Sequence, residues 1–287
     1  MRELESEAWE DFLDMTISQA ILWAATNTAP EEKSSEIAPA EPYFIGSHSG
    51  ASGAWVSGPE DLAPPEYFWG YESMATVKGI FCAGDASGAS SHKFSSGSHA
   101  EGRIAAKSAI RFLVKENPPK PRVNGGQIDK LKAETYAPLE TYSKHVGATT
   151  QPDVNPNYIQ PKMFMMRLQK LMDEYAGGVT SQFTTSGALM NRALELLAFL
   201  KEDSEKLAAP DLHELMRCWE NIHRMYQAEA HVRSMLFREE TRWPGYYFRS
   251  DHPKMDEQNW RVFVNCRMDP ASGKWETMKR PIVPMKA

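Results

Sequence analysis

Apolar side chains at Trp9, Phe12, Leu13, Ala20 and Trp23, with Thr16 in step, recur every three to four residues between Leu4 and about Ala25, the spacing of an amphipathic helix. Neither a capping box nor a strand precedes it, so Met1 reads as a start inside a larger protein. Pro30, Pro39 and Pro42, set among serine and acidic residues, then mark a linker over residues 26–42 and a boundary near residue 40. Tyr43–Ile45 and Ala54–Val56 are short strand-like pieces flanking a glycine- and serine-rich stretch, and Val77–Ala83 predicts a buried strand that ends at Gly84-Asp85. Alternating small and apolar residues (Ala105, Ala106, Ala109, Ile110, Leu113) predict a helix over Ala100–Val114. Residues 115–157 are proline-rich and without period, so a long extended, wrapping segment is expected there. Three helices follow. The first runs from about Pro161 to Ala176 and stops at Gly177-Gly178, and the second follows Ser186 as N-cap to about Leu207. The third opens with the capping box Asp211 to Glu214 and places Leu212, Leu215, Trp219, Ile222 and Tyr226 at steps of three and four. Trp260–Val264 and Lys274–Met278 bracket the turn signal Asp269–Gly273 and predict a hairpin. The organisation is α+β. Residues 1–40 are a helix and linker, 41–115 an incomplete α/β cofactor-binding segment, 116–160 a wrapping segment, and 161–287 a helical domain with a terminal β-hairpin.

Composition narrows the function classes. The 287 residues carry 32 basic against 38 acidic side chains with no basic stripe, which argues against nucleic acid as a partner. The longest early apolar run, Ala20–Ala25, is far short of the ~20 residues of a membrane span, and the acidic start (Glu3, Glu5, Glu7, Glu10, Asp11) is unlike a secretory signal. Cys82, Cys218 and Cys266 are few, odd in number and widely spaced, which suits a reducing cytoplasm and cannot supply a four-cysteine cluster.

The stretch from Gly84 to Arg103 is the one segment that points to chemistry. By composition alone it fits a flexible solvent loop. Its position between a strand and a helix starting at Ser96-Gly97-Ser98 fits instead a nucleotide cofactor, because helix N-termini present amide hydrogens and a favourable dipole to anionic or carbonyl oxygens. His48 lies between small residues that leave room for a ligand, although a lone histidine is more often structural. His223 and His231 have no third ligand at metal spacing, so no metal site is expected. Met163, Met165 and Met166 read as helix packing, and Trp243, Tyr246, Tyr247 and Phe248 as core or subunit interface.

The run Gly79–Asp85 through Arg103 resembles the second FAD-binding segment of the succinate dehydrogenase and fumarate reductase flavoprotein family. Within that family, His92–Arg103, Gly46–Gly50 and Phe237–Tyr247 are similar to the alpha subunits of adenylylsulfate reductase, and the likeness runs nearly the length of the chain. The resemblance implies FAD as cofactor, with Asp85 accepting from ribityl or ribose hydroxyls and Gly84, Ser95, Ser96, Gly97 and Ser98 lining the flavin. It places His48 at the substrate sulfate as the catalytic histidine. Lys93 stands where fumarate reductases carry a substrate-facing arginine; without the bidentate fork it suits a phosphosulfate better than a dicarboxylate. The implied reaction interconverts adenylyl sulfate with AMP and sulfite through a flavin N5-sulfite adduct, with iron-sulfur clusters in a partner beta subunit. One departure limits this: no Gly-x-Gly-x-x-Gly fingerprint occurs anywhere in the sequence, so half of the FAD site is lacking and the chain is expected not to work alone. A fumarate reductase-like fragment and a non-catalytic subunit-interaction module stand as the alternatives.

Overall fold

In the computed structural model the described residues are 23–29, 53–58, 69–88, 95–120, 122–150, 154–242 and 247–282. The chain divides into two compact units, Met1–Pro118 and Pro119–Ala287.

In the first unit, residues 23–26 are helical and are closed by Asn27 at φ 50°, with the Thr28 N–H donating to Trp23 O at 3.0 Å. The rest of the predicted first helix, its linker and Tyr43–Ile45 lie outside the described residues. Short bridges stand where strands were expected: Ala54 with Ser87 in parallel, Val56 with Ala75 and Met74 with Phe81 antiparallel. The predicted buried strand over Val77–Ala83 does not form. Residues 75–80 turn back on themselves, Ala75 N–H donating to Ile80 O at 2.8 Å, and Val77 and Ile80 are 58% and 52% exposed. A short apolar run cannot by itself distinguish a buried strand from other local structure, and here the backbone partners are local. The turn precedes helix α1, Ser95–Glu116, which starts five residues earlier than Ala100. Tyr71, Met74 and Phe112 form the unit's core with Trp69 and Phe81 packed against them, the Tyr71 and Phe112 rings meeting edge to face at 5.3 Å. Tyr71 Oη donates to Glu116 Oε1 at 2.9 Å and Lys78 Nζ donates to Glu116 Oε2 at 3.2 Å, which fixes the far end of α1.

The second unit is built on three helices: α3, Pro161–Tyr175; α4, Gly187–Ser204; and α5, Leu212–Phe237. Their starts follow the local chemistry read from sequence. Pro161 takes the first helical position, Ser186 Oγ accepts from Leu189 N–H at 3.3 Å, and Asp211 Oδ1 accepts from Glu214 N–H at 2.9 Å. Phe164, Leu168 and Leu171 from α3 pack against Met190, Ala193, Leu197 and Leu200 from α4 and Leu215, Cys218, Met225, Ala228, Val232 and Met235 from α5. Small residues at Ala193, Cys218 and Ala228 let the helices approach. On α5 the buried stripe differs from the predicted one. Leu212 is 68% exposed, while Trp219, Ile222 and Tyr226 flank the core and the stripe runs one position earlier through Cys218, Asn221 and Met225. Of the Met163, Met165 and Met166 cluster on α3, Met163 and Met166 are 48% and 51% exposed and Met165 is half-buried, and Phe164 and Leu168 do the packing.

The expected wrapping segment contains instead a 21-residue helix, α2, Gly125–His145, capped by Asn124. Pro138 lies inside it and is buried. Proline has no N–H for the carbonyl four residues back and distorts the turn before it. Two carbonyls near the proline bond to groups outside α2: Thr135 O, in the turn before it, accepts from Trp219 Nε1 at 3.0 Å, and the carbonyl of Pro138 itself accepts from Ala209 N–H at 3.0 Å. α2 is thereby tied to the helices, which is why a proline-rich stretch is helical here.

Downstream, β1 (Thr184–Thr185) pairs in parallel with β2 (Phe248–Arg249), and after the short helix α6 (Glu257–Trp260) the hairpin β3 (Val262–Met268) and β4 (Trp275–Pro281) forms about the predicted Asp269–Gly273 turn. Asp269 N–H donates to Lys274 O at 2.9 Å and Gly273 N–H to Asp269 O at 2.8 Å, closing that turn. A buried charge cluster holds the end of α5. Arg249, 1% exposed, donates from Nη1 to Met235 O and Arg238 O, each at 2.7 Å, and from Nε and Nη2 to Asp251 at 2.9 and 2.8 Å. Asp251 Oδ2 also accepts from Gly187 N–H at 2.7 Å, joining the start of α4 to the end of α5. Fully buried Glu240 accepts from Arg238 at 2.6 Å, Arg242 at 2.7 Å and Asp256 N–H at 2.9 Å. Burial would raise the Glu240 carboxyl, but Arg242, the Asp256 amide and Arg238 outweigh it and hold the group below the usual range. The Arg249 guanidinium holds Asp251 well below it too.

Candidate functional site

Two adjoining features of the first unit form the candidate site: the tight 3-10 turn Gly84–Ala86 and the first turn of α1. The first turn of a helix presents amide hydrogens that no intrahelical carbonyl accepts. In α1 this turn comprises Ser95, Ser96, Gly97 and Ser98 and contains no acidic side chain, so the positive end of a 22-residue dipole is not neutralised from within.

Gly84 seats the turn against that helix start. Its φ of 63° lies in the left-handed region, and a Cβ there would stand 3.1 Å from Ser98 Oγ and 3.3 Å from Ser98 Cβ. Any side chain at this position would be both strained and crowded. The Gly84 N–H donates to Glu101 Oε2 at 2.7 Å, one helical turn past Ser98. Behind the turn, Ala54 N–H donates to Ala86 O at 2.8 Å and Gly88 N–H to Ala54 O at 2.9 Å. Gly53 permits this approach, since a Cβ on it would fall 2.6 Å from the carbonyl carbon of Ser87. With its backbone pinned on two sides, the turn leaves the Asp85 carboxylate exposed next to the helix start.

Of the residues singled out in the sequence, Gly84 is brought against Ser98, Asp85 follows Gly84 in the turn, and Ser95, Ser96 and Gly97 open α1. His48, Lys93 and His92 lie outside the described residues, and His99 is exposed on α1. Glu101 is the functional candidate that motif reading passed over. Its signal is spacing: three and four residues beyond Ser98 and Gly97, it shares their face of the helix.

Chemically, the arrangement offers amide donors with positive potential to an anionic or carbonyl oxygen, and a carboxylate acceptor beside them for hydroxyl groups. A flavin carrying a ribityl chain has both kinds of group, so these residues fit the cofactor implied by the family resemblance. Among the described residues no three histidine, cysteine or carboxylate side chains converge as a metal site, and His223 and His231 are exposed on α5. Among them, too, no helix is long and apolar enough to cross a membrane. Cys82, Cys218 and Cys266 are free thiols.

Residues 165–287 match the family described as the fumarate reductase flavoprotein C-terminus. The whole chain is 49% identical to the adenylylsulfate reductase subunit alpha of Megalodesulfovibrio gigas, covering 44% of that protein. Among solved structures, that of adenylylsulfate reductase from Archaeoglobus fulgidus superposes with a TM-score of 0.86 at 54% identity, over 99% of this chain and 44% of that one. An adenosine-5-phosphosulfate reductase in complex with sulfite, as a covalent adduct, matches equally well. A quinol fumarate reductase chain from E. coli, 16% identical over 75% of this chain and 36% of that chain, shares the fold at a TM-score of 0.53. The chain therefore spans less than half the length of the reductase subunits it resembles, and the resemblance read from the Gly79–Arg103 and Phe237–Tyr247 motifs is borne out.

Proposed function

From a chain similar along its whole length to a portion of adenylylsulfate reductase alpha subunits, we propose that it forms part of a cytoplasmic flavoprotein subunit interconverting adenylyl sulfate with AMP and sulfite. The observation that carries this reading is the acid-free start of α1 held in contact with the Gly84–Ala86 turn, in a chain 54% identical to a reductase whose structure was determined with sulfite.

In this reading FAD is held by the amides of Ser95, Ser96, Gly97 and Ser98 at its carbonyl edge and by Asp85 at its hydroxyls, with Gly84 allowing close approach. When bound, the flavin supplies the electron pair that reduces sulfur. The protein's own groups position and neutralise charge. The imidazolium of His48 holds the negative charge that develops as the S–O bond breaks, and the Lys93 ammonium pairs with the phosphosulfate. AMP leaves as an already stable anion and needs no obligatory proton donor. An iron-sulfur beta subunit is the proposed electron partner, since the three cysteines of this chain cannot ligate a four-cysteine cluster.

The test is made on the FAD-bound complex. Sulfite is expected to bleach the flavin absorbance, and His48→Asn is expected to lower kcat by about 10²-fold, the typical loss of one charge-stabilising group, with a smaller change in KM. Turnover of fumarate with no response to sulfite would move the chain to the fumarate reductases. An iron-sulfur partner recovered with a flavin-free, inactive chain would make it an interaction module.

A further inference from the structure

We infer that Glu101 is a positioning residue for this site: its carboxylate, 2.7 Å from the Gly84 N–H, sets the Gly84–Ala86 turn against the start of α1 and so fixes where Asp85 presents its own carboxylate. The inference rests on the flavin reading given above.

Three features of the fold carry it. The backbone bonds that hold the turn from behind engage Ala86 and Gly88, and Ser87 N–H closes the turn on Gly84 O at 2.9 Å. These engage Gly84 only at its carbonyl, through the turn's own bond; its N–H, where the chain enters the turn, donates to a side chain, Glu101. Second, Glu101 projects from the same helix face as Gly97 and Ser98, so the residue that grips the turn is rigidly indexed to the amides that receive the ligand. Third, the seat has little slack, because the space a Gly84 Cβ would take is already within 3.1 Å of Ser98 Oγ. If the grip is lost the turn can relax only away from the helix, and Asp85 moves with it.

The residue type fits the task. A carboxylate only accepts, and its bond to an N–H is charge-assisted. Aspartate would fall one methylene short, whereas glutamine keeps an acceptor oxygen at the same reach.

The experiment compares Glu101→Ala, Glu101→Gln and Asp85→Ala, with the Glu101→Ala/Asp85→Ala double variant. Hydrogen exchange at the Gly84 amide is read on the chain itself, and the rate of flavin loss on the FAD-bound complex. With Glu101→Ala both rates are expected to rise by about tenfold or more, the equivalent of one charge-assisted hydrogen bond, and Glu101→Gln recovers most of the difference. In the double variant flavin loss is no faster than with Asp85→Ala alone, because Glu101 acts through Asp85. A general structural weakening would instead add to the Asp85→Ala effect and would not be rescued by glutamine. Unchanged Gly84 exchange in Glu101→Ala, or additive flavin loss, overturns the inference. If Asp85→Ala retains flavin as the wild type does, the flavin reading itself fails. If Asp85→Ala sheds flavin while Glu101→Ala does not, only the role of Glu101 fails.

Discussion

At the scale of single residues, the structure uses charge in two ways. Asp85 is exposed in the turn that packs against the acid-free start of α1, whereas Arg249, Glu240 and Asp251 are consumed by structure. The second group has a consequence for acid stability. Because Arg249 lowers the Asp251 carboxyl in the folded chain, an unfolded chain takes up the proton first, so the stability this pair contributes is present at neutral pH. It is lost as pH falls below about 4, the ordinary carboxylate value, toward the depressed folded one. Asp251→Asn is expected to cost about 2 kcal/mol at pH 7, less than a fully enclosed pair because Asp251 keeps 35% of its side chain exposed. The variant should also show a flatter dependence of unfolding free energy on pH in the acid range, measured by urea titration. Cys218 is the opposite case: burial pushes its thiol up to about 12, so it remains a neutral packing group. What was legible at this scale was residue type at a fixed local geometry, as with Gly84 and the Ser98 turn. The grip of Glu101 was not, because its partner lies seventeen residues earlier and depends on how the turn meets the helix.

Among the elements, local chemistry decided which could be read. α3, α4 and α5 announce themselves through Pro161, Ser186 and Asp211, groups that act within their own first turn. The hairpin is read for the same reason, through Asp269 and Gly273. The misreadings share a different cause. The stripe of α5 runs through Cys218, Asn221 and Ala228, small or polar residues chosen for close approach and for Asn221 Nδ2 to bond Pro161 O at 2.8 Å, so hydrophobicity alone favours its aromatic shoulder. The Val77–Ala83 run is apolar enough for a buried strand, yet its backbone bonds close locally. α2 was hidden by proline. Its attachment can be tested at Trp219, whose Nε1 reaches Thr135 O: Trp219→Phe keeps a ring and removes the donor. A loss of about 1 kcal/mol is expected, the net worth of one hydrogen bond, with helix content lost at lower urea than the main transition. A single unshifted transition would argue that α2 is held by packing alone.

For the molecule as a whole, the sequence holds one half of what a dinucleotide site requires. It has the Gly84–Ala86 turn and the helix start but no Gly-x-Gly-x-x-Gly turn for the pyrophosphate. The chain on its own is therefore expected to bind FAD weakly, and to gain affinity when a polypeptide carrying that fingerprint is added. Purification of the chain alone with a stoichiometric yellow chromophore would contradict this. The tie between Pro138 and the rest of the second unit sets an order of events during folding. A segment interrupted by proline has little tendency to be helical in isolation, and the groups that donate to its Thr135 and Pro138 carbonyls, Trp219 Nε1 and the Ala209 N–H, exist as neighbours only after α3, α4 and α5 have come together. Residues 125–145 should thus nucleate late, on a surface already assembled, and the rate of refolding should respond to changes at Leu197 or Met225 far more than to changes along α2.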